Sequence, residues 1–348
     1  MPELNQSGLG LSFCTQNTDK ASVTVDITTE EGVDIVRQLA AEADVFVENF
    51  RPGVSERLGL GYDAIGAVRP NVVYVSISAY GQDGPLGHRP AYDHVVQGMA
   101  GIMHTTGTDE TGPVKVGAPF VDYATGQKAA LATVAAVMEQ RRTGEAQRVD
   151  VAMLDTCLLL MANTLTEAAT TGERPAKLGN NAASAAPSAG CFETADEPLM
   201  IAANTDRQFR DLCAAIGRPE WAADERFAGA RARHRNSAEF RSLLGEVLRG
   251  AGADHWEAVF DAAGVPAAKV GRMDEVLAEG QPDARSLTAE VDVAGRPLKL
   301  PTAGFKVFGE VPGAMTPPPV LGADTAAVLT ELGYTPQDLE DLAAHGVI

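Results

Sequence analysis

Basic side chains are scarce in this 348-residue sequence, where 28 Lys and Arg stand against 47 Asp and Glu for a net charge of −19. A field of that sign repels phosphate backbones and anionic lipid surfaces, so nucleic acid and membrane are excluded as partners held by charge. Any strongly anionic ligand must be met by a few locally placed arginines and lysines. Cysteine is equally sparse. Cys14, Cys157, Cys191 and Cys213 are widely spaced and form no CxxC pair, which excludes a dense disulfide framework and leads us to expect reduced thiols in a cytoplasmic protein. No His/Cys/carboxylate group has metal-ligand spacing, so no metal site is expected. The opening MPELNQSGLG has neither a basic n-region nor an apolar h-region, and the longest apolar stretch, around Leu158 to Ala162, is far too short to span a bilayer.

What is present is an alternation of helical and strand periods, in a chain whose hydrophobic share of 45% suits a globular protein with a large buried core. Thr28 with Glu31 reads as a capping box, and Val33, Ile35, Val36 and Leu39 follow at helical spacing to about Ala41. The strand DVFVENF comes next, then a helix from Tyr62 to Val68 and, through Arg69-Pro70, the β-branched run VVYVSIS. Strand, helix and strand in this order predict a parallel α/β unit of Rossmann-like architecture. Gly8-Leu9-Gly10 is a decoy, because it lacks the third glycine and the preceding strand of a dinucleotide motif. Helical patterning dominates from Tyr92 to Ala169. From Cys191 a strand pair around FETADEPLMIAAN, helices opening near Asp206, Ser237 and Asp254, and the strand VPAAKV describe a smaller α/β domain. After Gln281 the chain is rich in Pro and Gly and closes with two short helices separated by GYTP. The expected division is a large domain over 1–180, a small one over 181–280, and a return segment over 281–348 lying on the large domain.

One residue stands out on physical grounds. VAMLDTCLLLMA sets a single carboxylate, Asp155, in an otherwise almost wholly apolar run. Burying a lone charge costs several kcal/mol, and the surroundings that raise this cost also prepare a carboxylate as nucleophile or acid. A helix-start aspartate accepting backbone N–H bonds is the alternative.

The strings ADVFVENFRPG, VSERLGLGYDAI, RPNVVYVSISAYGQDGPLGHRPAYDHVVQGMAG and VDYATGQKAALATVAAVMEQRRTGEAQRVDVAMLD, followed by GRPEWAADERF, AGVPAAKV, PPPVLGADT and ELGYTPQDLEDLAAHGVI, resemble in order and spacing the family III CoA transferases. That group contains formyl-CoA transferase, carnitine CoA transferase and the α-methylacyl-CoA racemases. The resemblance runs from about Asn17 to the end. It implies an α/β fold with a Rossmann-like large domain, a smaller α/β domain and an intertwined homodimer, with acyl-CoA and a small carboxylic acid as substrates and no tightly bound cofactor.

Residue by residue, the resemblance makes Asp155 the carboxylate that attacks the thioester and forms an aspartyl anhydride, which released CoA can re-attack. Asn49 and Phe50 of ENFRPG and Arg57 of SERLG match the family's CoA contacts, and an arginine there pairs bidentately with phosphate. Arg89 stands in for a lysine of some transferases. Tyr92 occupies the place where the racemases carry a catalytic histidine, and a phenol that titrates near pH 10 disfavours α-proton exchange. His94 is read as structural. Asp93 is expected to hydrogen-bond near Asp155, or else to cap a helix. Two departures are visible. NNAASAAPSAG stands where the formyl-CoA transferases have a glycine-rich loop, which implies a different loop shape and a different acceptor acid. Asn17 to Lys20 stands almost at the start, where the family has a preceding strand, helix and strand, so the chain is read as N-terminally short. This leaves a racemase, or a truncated non-catalytic paralogue or partner subunit for a complete homologue, as further readings.

Overall fold

A computed structural model describes residues 3–4, 9–312 and 315–348; Gly8 of the Gly8-Leu9-Gly10 segment lies outside them. The described residues separate into two compact units, one of residues 1–100, 116–171 and 280–348 and the other of 101–115 and 172–279.

The larger unit begins its alternation with α1, Glu30–Glu42. Its N-cap is Thr29, whose hydroxyl accepts the Gly32 N–H at 3.0 Å. Thr28, the residue expected to cap, is instead turned to Asp26, whose carboxylate accepts both its N–H and its hydroxyl. The shift has a steric cause at Gly32. A Cβ there would stand 2.0 Å from the Asp26 carbonyl oxygen, so the chain enters α1 by folding Asp26 tightly over a residue without a side chain. β1, Val45–Glu48, α2, Tyr62–Val68, and β2, Val73–Ser78, follow, then α3, Asp93–Met99, α4, Phe120–Thr143, and β3, Gln147–Ala152, which runs directly into α5, Met153–Leu160. The three strands are parallel in the order β1-β2-β3, with Val73 facing Val45 on one side and Gln147 on the other. As the middle strand, β2 is buried on both faces, so that its serines Ser76 and Ser78 are buried along with Val73, Tyr74 and Val75. On one face Tyr74 packs with Ala40, Leu60 and Ile65, and its hydroxyl donates to the Leu60 carbonyl oxygen at 3.0 Å. On the other, Val73 and Val75 meet Ala136 and Val137 of α4.

The smaller unit has an antiparallel sheet of β4, Ala189–Phe192, β5, Leu199–Ala202, and β6, Ala267–Lys269, and the helices α6, Asp206–Ala215, α7, Ser237–Leu248, and α8, Ala253–Ala262. The first strand lies earlier than FETADEP suggests. Thr194 donates its hydroxyl to the Glu197 carbonyl at 2.6 Å and Asp196 accepts the Glu197 N–H at 2.6 Å, so those residues form the turn itself. Phe209, Phe227, Phe240, Trp256 and Phe260 fill the core between sheet and helices.

The chain then returns to the larger unit. A hairpin of β7, Thr288–Val293, and β8, Arg296–Pro301, packs Val291, Val293 and Leu300 on Cys14; no alternation signal had marked it, since Pro297 and Pro301 interrupt the second strand. Helices α9, Thr325–Glu331, and α10, Pro336–Ala344, follow. Leu329 of α9 and Val347 after α10 bury against Ile35 of α1, and the Val347 carbonyl accepts the Asp26 N–H at 2.7 Å. Among the described residues no helix is long and apolar enough to cross a membrane.

Candidate active site

All of the larger unit's chemistry-bearing loops leave the carboxyl ends of its parallel strands, where α/β sheets characteristically bind ligands. After β1, the turn of ENFRPG is fixed by its own polar groups. The buried Glu48 carboxylate accepts the Phe50 N–H at 2.7 Å, and Asn49 donates from its side-chain amide to the Ile77 carbonyl of β2 at 2.6 Å. This leaves Phe50 and Arg51 exposed at the strand exit. After β2, the Ser78 hydroxyl accepts the Gly81 N–H and the Asp150 carboxylate of β3 accepts the Gln82 N–H at 2.9 Å, bending 80–86 across the sheet edge. After β3, the N–H of Leu154 donates to the Ala79 carbonyl at 3.0 Å, which seats the first turn of α5 beside the β2 exit.

Two cavities open there. One, of about 530 Å³, has Asn49, Phe50, Arg51, Arg89, Tyr92 and Asp122 in its lining, together with Gln16 and Met153 among others. It brings together four of the residues expected from sequence. Arg57 is exposed on the short turn of helix Val54–Arg57 and does not line it. Arg51 does, and the sequence reading passed over it although it belongs to the same ENFRPG string. Partial burial, followed by the like charge of Asp93, pushes the Asp122 carboxyl above the usual carboxylate range. Tyr92 is 77% exposed and stacks on the exposed His94 ring at 6.4 Å.

The second cavity, of about 270 Å³, is lined by Tyr80, Asp83, Leu86, Asp150, Leu154 and Asp155, with Gly81, Gly84, Pro85 and Ala152. Asp155 lies in the first turn of α5 and is exposed, with no hydrogen bond or ion pair among the described residues. The expected burial is therefore not found in the single chain. A helix buries a face and not a run: Met153, Thr156 and Cys157 point inward, while Leu159 and Leu160 are 55% and 53% exposed. Burial and then the Asp93 charge raise the neighbouring Cys157 thiol, which keeps it an unreactive core group.

Asp93 has a different assignment from its expected contact with Asp155. It is buried, and one oxygen accepts the N–H groups of Val121 and Asp122 at 2.8 and 3.3 Å, while the other accepts from the Gln97 amide at 2.6 Å. Gln97 in turn accepts the Val116 N–H at 3.0 Å. Asp93 thus closes the N terminus of the 24-residue α4, two of whose N–H groups have no partner within the helix.

In the smaller unit, the segment NNAASAAPSAG is held by Arg241, which donates to the carbonyls of Ala189 and Cys191 at 3.2 and 3.1 Å and lies over the Phe192 ring. The Ser184 hydroxyl donates to Asn204 at 2.6 Å, and Ala185 takes a φ of 54°, a strained value for a residue with a Cβ. Among the described residues, no group of three or more His, Cys, Asp and Glu is arranged to hold a metal ion.

Comparison with known proteins places this geometry. The sequence pattern of CoA-transferase family III matches residues 1–325. The acetyl-CoA:oxalate CoA-transferase of Acetobacter aceti is 34% identical over 90% of this chain and 80% of its own length. The succinyl-CoA:glutarate CoA-transferase of Mus musculus is 32% identical over 97% and 77%. The crystal structure of a CAIB/BAIF family protein from Brucella suis superposes with a TM-score of 0.81 at 34% identity, covering 95% of this chain and 86% of that one.

Proposed function

Because the chain belongs to CoA-transferase family III, we propose that it moves CoA from an acyl-CoA thioester to a free carboxylic acid through Asp155. The observation that carries this reading is the placement of Asp155: a carboxylate without a partner among the described residues, in the first turn of α5, lining one cavity and two residues from Met153, which lines the other. The larger cavity suits the CoA arm. Arg51 and Arg89 supply the local positive charge that a molecule of net charge −19 must concentrate to hold phosphates. The relatives named above act on CoA thioesters and carboxylates, which supports the substrate class.

In the first step the Asp155 carboxylate attacks the thioester carbonyl carbon, the C–S bond breaks, and CoA leaves as a thiolate while a mixed anhydride forms. The thiolate then attacks the Asp155 carbonyl carbon of the anhydride, releasing the donor acid as its carboxylate and leaving an aspartyl-CoA thioester. The acceptor carboxylate repeats the sequence in reverse, so no proton is consumed and no thioester energy is lost to water. Water has to be excluded while the anhydride lasts, and the exposed apolar side chains are suited to that task in an assembly. Leu131, Val134 and Met138 form one face of α4 and are 59–69% exposed, and Leu159 and Leu160 of α5 are exposed as well. A second copy of the chain covers them in this reading, and a folded monomer in sedimentation at nanomolar concentration would contradict it.

Asp155→Ala tests the mechanism. Because the side chain is exposed and unpaired, its loss changes stability by less than about 1 kcal/mol, while acyl exchange between CoA and a free acid disappears. A variant that still exchanges acyl groups at the original rate overturns the assignment.

A further inference from the structure

The cavity at Asp155 has a charge pattern that the family assignment leaves unused. Its walls carry three carboxylates, Asp83, Asp150 and Asp155, and not one of its lining side chains is basic. Asp83 is exposed on the 80–86 loop without an ion pair among the described residues. Asp150 keeps its charge close to the cavity because one oxygen is held by the Gln82 N–H at 2.9 Å. The remaining wall is Tyr80, which is buried, with Leu86, Leu154, Pro85 and Ala152. At about 270 Å³ the space lies below the roughly 300–1,000 Å³ typical of drug-sized ligands, so it fits a short chain.

We infer that this cavity receives the acyl group and that Asp83 and Asp150 make it selective for short, uncharged acyl chains, rejecting acids that bear a second carboxylate. The inference rests on Asp155 as the acyl acceptor. An acid enters with its reacting carboxylate at Asp155, and that charge is needed for every substrate. A second carboxylate at the far end of the chain meets Asp83 or Asp150 with no arginine or lysine to balance it. Like charges a few ångströms apart in a partly desolvated site repel strongly enough to cost on the order of tenfold in selectivity or more. A methyl terminus finds Leu86, Leu154 and the Tyr80 ring instead. The repulsive pair thus acts against one class of acid while the apolar wall favours the other. By this reading the chain differs from the relatives whose names specify oxalate and glutarate.

The test uses butyrate and succinate, two acids with the same number of carbons, as acceptors from propionyl-CoA with the full-length protein. The expected kcat/KM is at least about tenfold higher for butyrate, and the succinate-to-butyrate ratio rises severalfold in Asp83→Asn and further in Asp83→Asn/Asp150→Asn. The single variant keeps the experiment decisive should the loss of Asp150 disturb the loop. Equal or better use of succinate by the unmodified protein, use of neither acid, or a ratio unmoved in both variants overturns the inference. Intact mass measured on the same samples separates it from its premise. An adduct on Asp155 with an unmoved ratio sinks the selectivity alone, whereas a shifted ratio without any adduct sinks Asp155 as the acceptor.

Discussion

Two carboxylates of the larger unit have opposite surroundings: Asp93 is buried with three hydrogen bonds, and Asp155 is exposed with none among the described residues. A side chain already bound on both oxygens is fixed, whereas a free one is available to react. The arginines divide in the same way. Arg51 and Arg89 line the larger cavity and Arg57 does not, so Arg51→Ala and Arg89→Ala are expected to raise KM for acyl-CoA by about tenfold each, the worth of a charge-assisted hydrogen bond. Arg57→Ala should raise it far less, and steady-state kinetics on the three variants decides between them. Asp155 was visible in the sequence because a lone charge in an apolar run is anomalous. Its exposure was not, because a run of letters does not say which side of a helix is covered. Arg51 was hidden by its type: an arginine beside a proline in a turn is an ordinary surface residue until the Glu48 and Asn49 hydrogen bonds aim the turn at the site.

Among the elements, α4 depends on a residue outside itself. Its first N–H groups are satisfied by Asp93 of α3, and its buried face carries Val121, Thr125, Ala129 and Ala136. Asp93→Ala leaves those donors and the Gln97 side-chain N–H without a partner, and the expected loss is about 2–3 kcal/mol, read as a lower urea midpoint with an unchanged m-value. A loss below about 0.5 kcal/mol would contradict the capping role. β1 and β2 were legible from their β-branched residues, whereas β3 was not, because QRVDVA alternates polar and apolar residues inside a stretch of helical patterning. The hairpin β7–β8 was not, since prolines suppress the strand signal at a sheet edge. The cap of α1 moved by one residue from Thr28 to Thr29 because Gly32 admits the Asp26 carbonyl, a tertiary approach that the S/T-x-x-E pattern does not encode.

For the molecule as a whole, one source of acid sensitivity lies in the smaller unit. In the smaller unit, hydrogen bonds from Arg226 hold the Asp224 carboxyl down to about 2. Its unfolded value is about 3.9, so the stability it contributes is fully present above that value and is lost as pH falls towards 2. Both tryptophans, Trp221 and Trp256, lie in this unit, so fluorescence-monitored unfolding reports it directly. The destabilisation by Asp224→Asn should be larger at pH 6 than at pH 2, and a difference independent of pH would refute the linkage. The mixed α/β character was readable from the alternation of strand and helix patterns. The place of residues 101–115 in the smaller unit was not, because they join it through tertiary contacts alone. The account turns on covalent capture by one carboxylate, and intact mass after brief mixing with propionyl-CoA tests it most directly. The prediction is a chain heavier by a propionyl or CoA group, lost on adding hydroxylamine and absent in Asp155→Ala; a chain of unaltered mass that nonetheless exchanges acyl groups at full rate would contradict it.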